Sequence, residues 1–263
     1  MSDQSPTSHR LARREFLAAA TLGAAGLLTS CDVLDLTSPK ASGSARLTAR
    51  PGIPQTAGPR GLRPLGLGNA LADGVVYVTA RYSDATPAPF VLLLHGAGGT
   101  GANFINAFVP EADVSGQILL AVNSRKVTWD GVGNGKFGPD IAFLDLALHD
   151  TFSKYAISAT RLAVAGFSDG ATMSLAVGLA NGDLFPRVMA WSPGGLIGRE
   201  HRGTPEFFVS HGTLDPVIAV RATRDDTVPA LRKDGYQVTY REFSGGHTIP
   251  GDVLHDAMSW AAR

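Results

Sequence analysis

The 263-residue chain has a single cysteine. That excludes an internal disulfide framework and a cysteine-based zinc site. It also lacks a surplus of either charge: Lys+Arg and Asp+Glu both number 23. A basic face for nucleic acid is therefore not expected. Charged residues are only 17% against 44% hydrophobic, so the chain can fill a sizeable core and composition does not force disorder. No internal repeat is present. The uncharged run from Phe16 to Cys31 is too short and too rich in Ala and Gly for a comfortable membrane span.

What that run offers instead is an address. Arg13-Arg14-Glu15-Phe16-Leu17 precedes it, which gives the charged and apolar regions of a signal peptide. The paired arginines resemble the twin-arginine export motif, with Ala12 where Ser or Thr is common and Ala18 where Lys is common. Leu28-Thr29-Ser30-Cys31 resembles a bacterial lipobox. That resemblance implies removal of residues 1–30 and lipidation of Cys31. The mature chain would be exported across a bacterial cytoplasmic membrane and held at a membrane by acyl chains. The competing reading is a buried free thiol; the position of the lone Cys favours processing. Residues 31–68 hold five prolines, many Gly, Ser and Thr, and little apolar periodicity, so they read as a flexible tether.

Residues 69–263 alternate strands and helices. Phe90–Leu94 and Ile118–Val122 are continuous apolar runs, as strands buried on both faces require. Val75–Thr79, Arg161–Ala165, Val188–Trp191, Phe207–Ser210 and Val238–Arg241 also read as strands. Ile141, Leu144, Leu148 and Phe152 lie on one helical face, with Asp140 as a candidate N-cap. Ala171–Ala180 and Asp252–Ala262 make further helices. The pattern implies an α/β fold: a mostly parallel sheet with helices on both faces.

Directly after the strand at Leu162–Ala165 comes Gly166-Phe167-Ser168-Asp169-Gly170 and then a helix, the context a nucleophile elbow needs. The sharp turn leaves no room for a Cβ at either glycine. It lifts the Ser168 hydroxyl to the carboxyl edge of the sheet and aims the Asp169 N–H the same way. A serine hydroxyl is a poor nucleophile until a base takes its proton. Two later strands supply partners: Asp215 in His211-Gly212-Thr213-Leu214-Asp215 and His247 in Gly246-His247-Thr248. Each stands just past a strand end on the edge where Ser168 emerges, so Asp215 can orient His247 and His247 can take the Ser168 proton. His211 precedes the acid by four residues, and hydrogen bonding within the turn suits it better.

The glycine loop His95-Gly96-Ala97-Gly98-Gly99-Thr100-Gly101 has two readings. In the first, the Ala97 N–H is the second oxyanion donor beside Asp169. In the second, Gly96, Gly98 and Gly101 form G-x-G-x-x-G, a dinucleotide fingerprint, and Arg125 suits a 2′-phosphate. The second leaves Ser168, Asp215 and His247 without a role.

With these residues in place, residues from about 65 to 263 resemble the α/β-hydrolase superfamily. Within it they are most similar to the carboxylesterase/phospholipase-like and poly(3-hydroxybutyrate) depolymerase/feruloyl esterase-like families. The matching stretches are Leu93–Gly99, Asp140–Leu144, Gly166–Gly170, His211–Asp215 and Gly246–Pro250. The resemblance implies a serine esterase needing no cofactor or metal, with a small-molecule ester as substrate. Asp169 stands where relatives carry Asn or Gln, and its carboxylate disfavours anionic substrates. The Ser192–Pro205 connection has a loop's length, not a lid's, so small to medium esters are expected. Trp129 either lines the pocket or packs internally. The alternatives are an NADP-binding oxidoreductase and a non-catalytic surface-tethered binding protein.

Overall fold

The structure, a computed structural model, describes residues 43–68, 73–133, 135–198 and 200–263. The signal peptide and the Cys31 lipidation site expected from sequence lie outside the described residues.

Eight strands form one sheet: β1 (Gly61–Pro64), β2 (Gly74–Val78), β3 (Ala88–Leu94), β4 (Ile118–Val122), β5 (Ile157–Phe167), β6 (Arg187–Trp191), β7 (Glu206–Gly212) and β8 (Val238–Phe243). Their order is β1-β2-β4-β3-β5-β6-β7-β8. β2 runs antiparallel to both its neighbours, and the strands from β4 to β8 are all parallel. The helices are α1 (Gly101–Phe104), α2 (Val109–Ser115), α3 (Pro139–Lys154), α4 (Asp169–Ala180), α5 (Val228–Lys233) and α6 (Gly251–Ala261). Among the described residues no helix is long and apolar enough to cross a membrane.

The period of two in β3 divides the core between the two faces. Phe90, Leu92 and Leu94 point to one face, which Ile141, Leu144, Leu148 and Phe152 of α3 and Met173, Leu175 and Val177 of α4 cover. Val91 and Leu93 point to the other, under Ile105, Phe108 and the α6 residues Val253, Ala257 and Met258. All five β3 side chains are fully buried, each worth roughly 1.5–3 kcal/mol relative to exposure. Parallel strands with both faces covered bring every nucleophile-bearing turn to the same carboxyl edge.

Two expectations need correction here. Within the tether expected over 31–68, residues 45–49 are not loose chain. Ala45, Leu47 and Ala49 are buried, while the residues between them face outward. Asn181, itself buried, accepts from the Leu47 N–H at 2.8 Å and donates to the Ala45 carbonyl at 2.8 Å. Asp145 accepts from the N–H groups of Thr48 and Ala49, and Asp183 pairs with Arg46 and Arg50. Side chains of α3 and of the α4 terminus thus replace the neighbouring strand that such an extended segment would otherwise need. Gly61–Pro64 then forms the edge strand β1, where Pro64 is tolerated. Asp140 is not the N-cap either. Gly138 holds that position with Pro139 at N1, and the Asp140 carboxylate is used elsewhere.

Candidate active site

Ser168 closes the turn between β5 and α4 with φ 57° and ψ −122°, a conformation a non-glycine residue holds only under strain. Close backbone approach explains both flanking glycines. A Cβ on Gly166 would lie 2.0 Å from the Gly170 carbonyl oxygen, and one on Gly170 would lie 2.0 Å from that of Leu94. The Ser168 N–H is tied to the Trp191 carbonyl at 2.9 Å. Its side chain stands at the head of α4, where the helix dipole favours developing negative charge.

The loops after β7 and β8 are pressed together. A Cβ on Gly212 would meet the carbonyl oxygens of Gly245 and Gly246, each at 2.4 Å, and Leu214 N–H donates to the Gly245 carbonyl. That approach puts His247 Nδ1 2.6 Å from Asp215 Oδ2. The His247 ring lies on Phe167, centroid to centroid 4.6 Å, one residue before the elbow. Gly96 abuts the same point, its absent Cβ 3.3 Å from Ser168 Cβ. The structure therefore joins Asp215 to His247 and sets His247 beside the Ser168 turn. Among the described residues no hydrogen bond joins the Ser168 hydroxyl to His247. Such bonds often close only around substrate.

The Asp215 side chain is fully buried. Burial pushes its carboxyl up, but the His247 hydrogen bond and the N–H groups of Ile218 and Val217 outweigh it, so the group titrates below the usual carboxylate range. His211 is buried as well. It hydrogen-bonds the Ile218 carbonyl and, twelve residues on, Thr223, so its bonds reach beyond the turn expected for it.

The glycine loop is held from beneath. His95 Nδ1 meets the Gly96 carbonyl at 2.7 Å, and its Nε2 accepts from the Ser124 N–H at 3.1 Å. Those partners require the neutral imidazole, and burial accordingly lowers its pKa against the pull of the Gly96 carbonyl. Gly98 N–H donates to Val127 O. Among the described residues the N–H groups of Ala97 and Asp169 donate to no protein acceptor, as oxyanion donors must. Two amides of the dinucleotide fingerprint are committed, Gly98 to Val127 and Gly101 to Asn123. The helix it opens is only four residues long, which leaves little for a pyrophosphate to bind.

Trp129 needs correction as a substrate contact. It is 1% exposed, and its indole N–H is spent on the His95 carbonyl at 2.8 Å. It buttresses the glycine loop instead of lining a pocket. Thr128 beside it donates to the Asp169 carboxylate at 2.6 Å. The same loop is fastened by Asp140, whose oxygens accept from the N–H groups of Arg125 and Asp130. Burial raises the Asp140 carboxyl, and those two N–H groups oppose the rise. These supports escaped sequence reasoning; the one visible signal was the Asp140–Leu144 stretch. A cavity of about 240 Å³ lies between Gly194–Leu196 and Ala222–Ala230. Gly194 N–H donates to Thr172 Oγ1 there, one turn of α4 beyond Ser168. Among the described residues no cluster of His, Cys, Asp or Glu could hold a metal.

Comparison with known proteins fits this geometry. The family model described as Phospholipase/Carboxylesterase matches residues 145–262, a span that includes Ser168, Asp215 and His247. Feruloyl esterase C of Emericella nidulans is 26% identical over 152 residues, 55% of this chain and 55% of its own. The chain thus spans about half the length of that curated relative. Esterase PE8 superposes with a TM-score of 0.58 at 22% identity, over 72% of this chain and 96% of its own. The S-formylglutathione hydrolase FrmB of Staphylococcus aureus gives 0.59 at 14% identity, over 72% and 92%. The chain has the α/β-hydrolase fold.

Proposed function

We propose that the protein is a serine esterase cleaving neutral carboxylic esters of small to medium size. The observation that carries this is the Asp215–His247 hydrogen bond of 2.6 Å beside the strained Ser168 turn. Ser168 Oγ attacks the ester carbonyl while His247 Nε2 takes its proton. Asp215 holds the imidazole by Nδ1 and stabilises it when charged. The N–H groups of Ala97 and Asp169 receive the oxyanion, each such donor typically worth about 3 kcal/mol of barrier. The C–O bond breaks, His247 returns the proton to the leaving alcohol, and an acyl-serine remains. Water repeats the sequence, releasing the acid and restoring Ser168. Nothing in these steps calls on a cofactor.

The substrate size is read from the Ser192–Pro205 connection, which has a loop's length and not a lid's. The Asp169 carboxylate, 2.6 Å from the Thr128 hydroxyl, belongs to the residue next to Ser168, and its charge disfavours an anionic ester. A p-nitrophenyl ester chain-length panel tests the reading. Short acyl chains are cleaved fastest, and Ser168→Ala abolishes turnover at every length. Retained turnover in Ser168→Ala overturns it. Export and lipid anchoring through Cys31 belong to the same proposal. Mass spectrometry of the mature N-terminus finds a diacylglyceryl Cys31, whereas an unmodified N-terminus at Met1 contradicts it.

A further inference from the structure

The catalytic carboxylate has a second imidazole on it, and the triad mechanism does not use that group. His211 Nε2 lies 3.2 Å from Asp215 Oδ2, the same oxygen that takes His247 Nδ1. Both side chains are fully buried. His211 Nε2 also lies 2.8 Å from the Ile218 carbonyl. A carbonyl only accepts, so Nε2 carries the hydrogen and donates it to Ile218 O, while the same N–H edge lies 3.2 Å from Asp215 Oδ2. Nδ1 meets Thr223 Oγ1 at 2.7 Å.

The carboxylate then has three hydrogen-bond donors, the Val217 and Ile218 N–H groups on Oδ1 and His247 on Oδ2, and the His211 N–H edge faces Oδ2 beside them. A buried carboxylate stays ionised only when its lone pairs are satisfied. The positive N–H edge of His211 beside Oδ2 also competes for the negative charge that holds His247. Other charged groups near His211 are already engaged. Glu242, its register partner on β8, is held by Arg224 and Tyr240.

We infer that His211 is a positioning residue that acts through Asp215, fixing the carboxylate and setting the pH at which His247 can take the Ser168 proton. The inference rests on the esterase reading above. Without the Nε2–H donor, Asp215 becomes a stronger partner for the His247 imidazolium. The base then frees itself of its proton only at higher pH.

The test is the pH profile of second-order labelling by a fluorophosphonate, read in the full chain for wild type and three variants. His211→Gln places an amide donor where Nε2 stood and keeps the wild-type midpoint. His211→Asn keeps a polar group near Thr223 but loses that donor. Its midpoint moves up by about 0.5–1, so labelling below the midpoint falls roughly 3- to 10-fold while the high-pH plateau is kept. His211→Leu behaves as Asn does, and the Gln–Asn comparison stands whether or not the Leu variant folds. Equal midpoints in Gln and Asn, or a fall at all pH values alike, overturn the inference while leaving the esterase reading intact. No labelling of the wild type overturns both.

Discussion

Gly170→Ala separates the geometry of the elbow from simple stability. A Cβ there would sit 2.0 Å from the Leu94 carbonyl oxygen and 2.5 Å from that of His95. Both obstacles are backbone, at the end of β3 and the start of the glycine loop, and cannot swing aside. Reaching even a tight 3.0 Å contact requires the α4 terminus and the loop to part by about 1 Å. A displacement of that size at reacting groups costs about 10²-fold in rate, or roughly 2.7 kcal/mol of barrier. Overpacking itself costs about 1–3 kcal/mol of stability. Gly178→Ala is the control. It lies on the same helix, but its Cβ would meet the Val188 side chain, at 2.3 Å from Cγ2. The assay pairs kcat on a short p-nitrophenyl ester with Tm. Both variants lose a few degrees, and only Gly170→Ala loses about two orders of magnitude in kcat. Near-wild-type kcat in Gly170→Ala, or equal kcat losses in both, refutes the argument.

Trp129→Phe keeps the ring but removes the N–H that holds the His95 carbonyl. Kinetics on the same ester show kcat down about 10-fold with KM little changed, less than the 10²–10³ of deleting an oxyanion donor outright. Asn181→Ala leaves the Leu47 N–H and Ala45 carbonyl unpaired, costing on the order of 2–4 kcal/mol in urea unfolding and opening residues 43–50 to protease. Asp183 is held down to about 2, chiefly by its hydrogen bond to Arg46 with Arg50 adding to it. A depressed carboxyl stabilises the fold above its unfolded value near 3.8 and loses that effect as pH falls toward 2. The side chain is 39% exposed, so solvent screens the pair and the effect is local. Hydrogen exchange in residues 46–50 therefore quickens between pH 4 and pH 2 beyond the intrinsic rate, and Asp183→Asn removes the change.

The strands were readable because burial on both faces leaves a run such as Phe90–Leu94 with no other meaning. The elbow was readable because steric crowding dictates its two glycines. The shared edge of Asp215 and His247 is readable because a parallel sheet returns each later strand to the side where Ser168 emerges. What stayed hidden depends on partners far away in the chain. Residues 45–49 carry a visible alternation, Ala-Arg-Leu-Thr-Ala, but their hydrogen bonds run to Asn181 and Asp145, and sequence does not show that pairing. Trp129 was ambiguous for the same reason, since its N–H partner is a backbone carbonyl 34 residues earlier. Asp140 sits where a helix cap is expected, yet two loop amides compete for its oxygens and win. The spacing of His211 and Asp215 makes them neighbours in a turn, but it does not show that both histidines face one carboxylate oxygen.

The central claim is that Ser168 is an activated nucleophile, and intact-mass analysis after fluorophosphonate treatment tests it most directly. The account expects one adduct per chain, mapped by peptide sequencing to Ser168, and none in Ser168→Ala or His247→Ala. An unlabelled wild-type chain, or an adduct on any other residue, contradicts it.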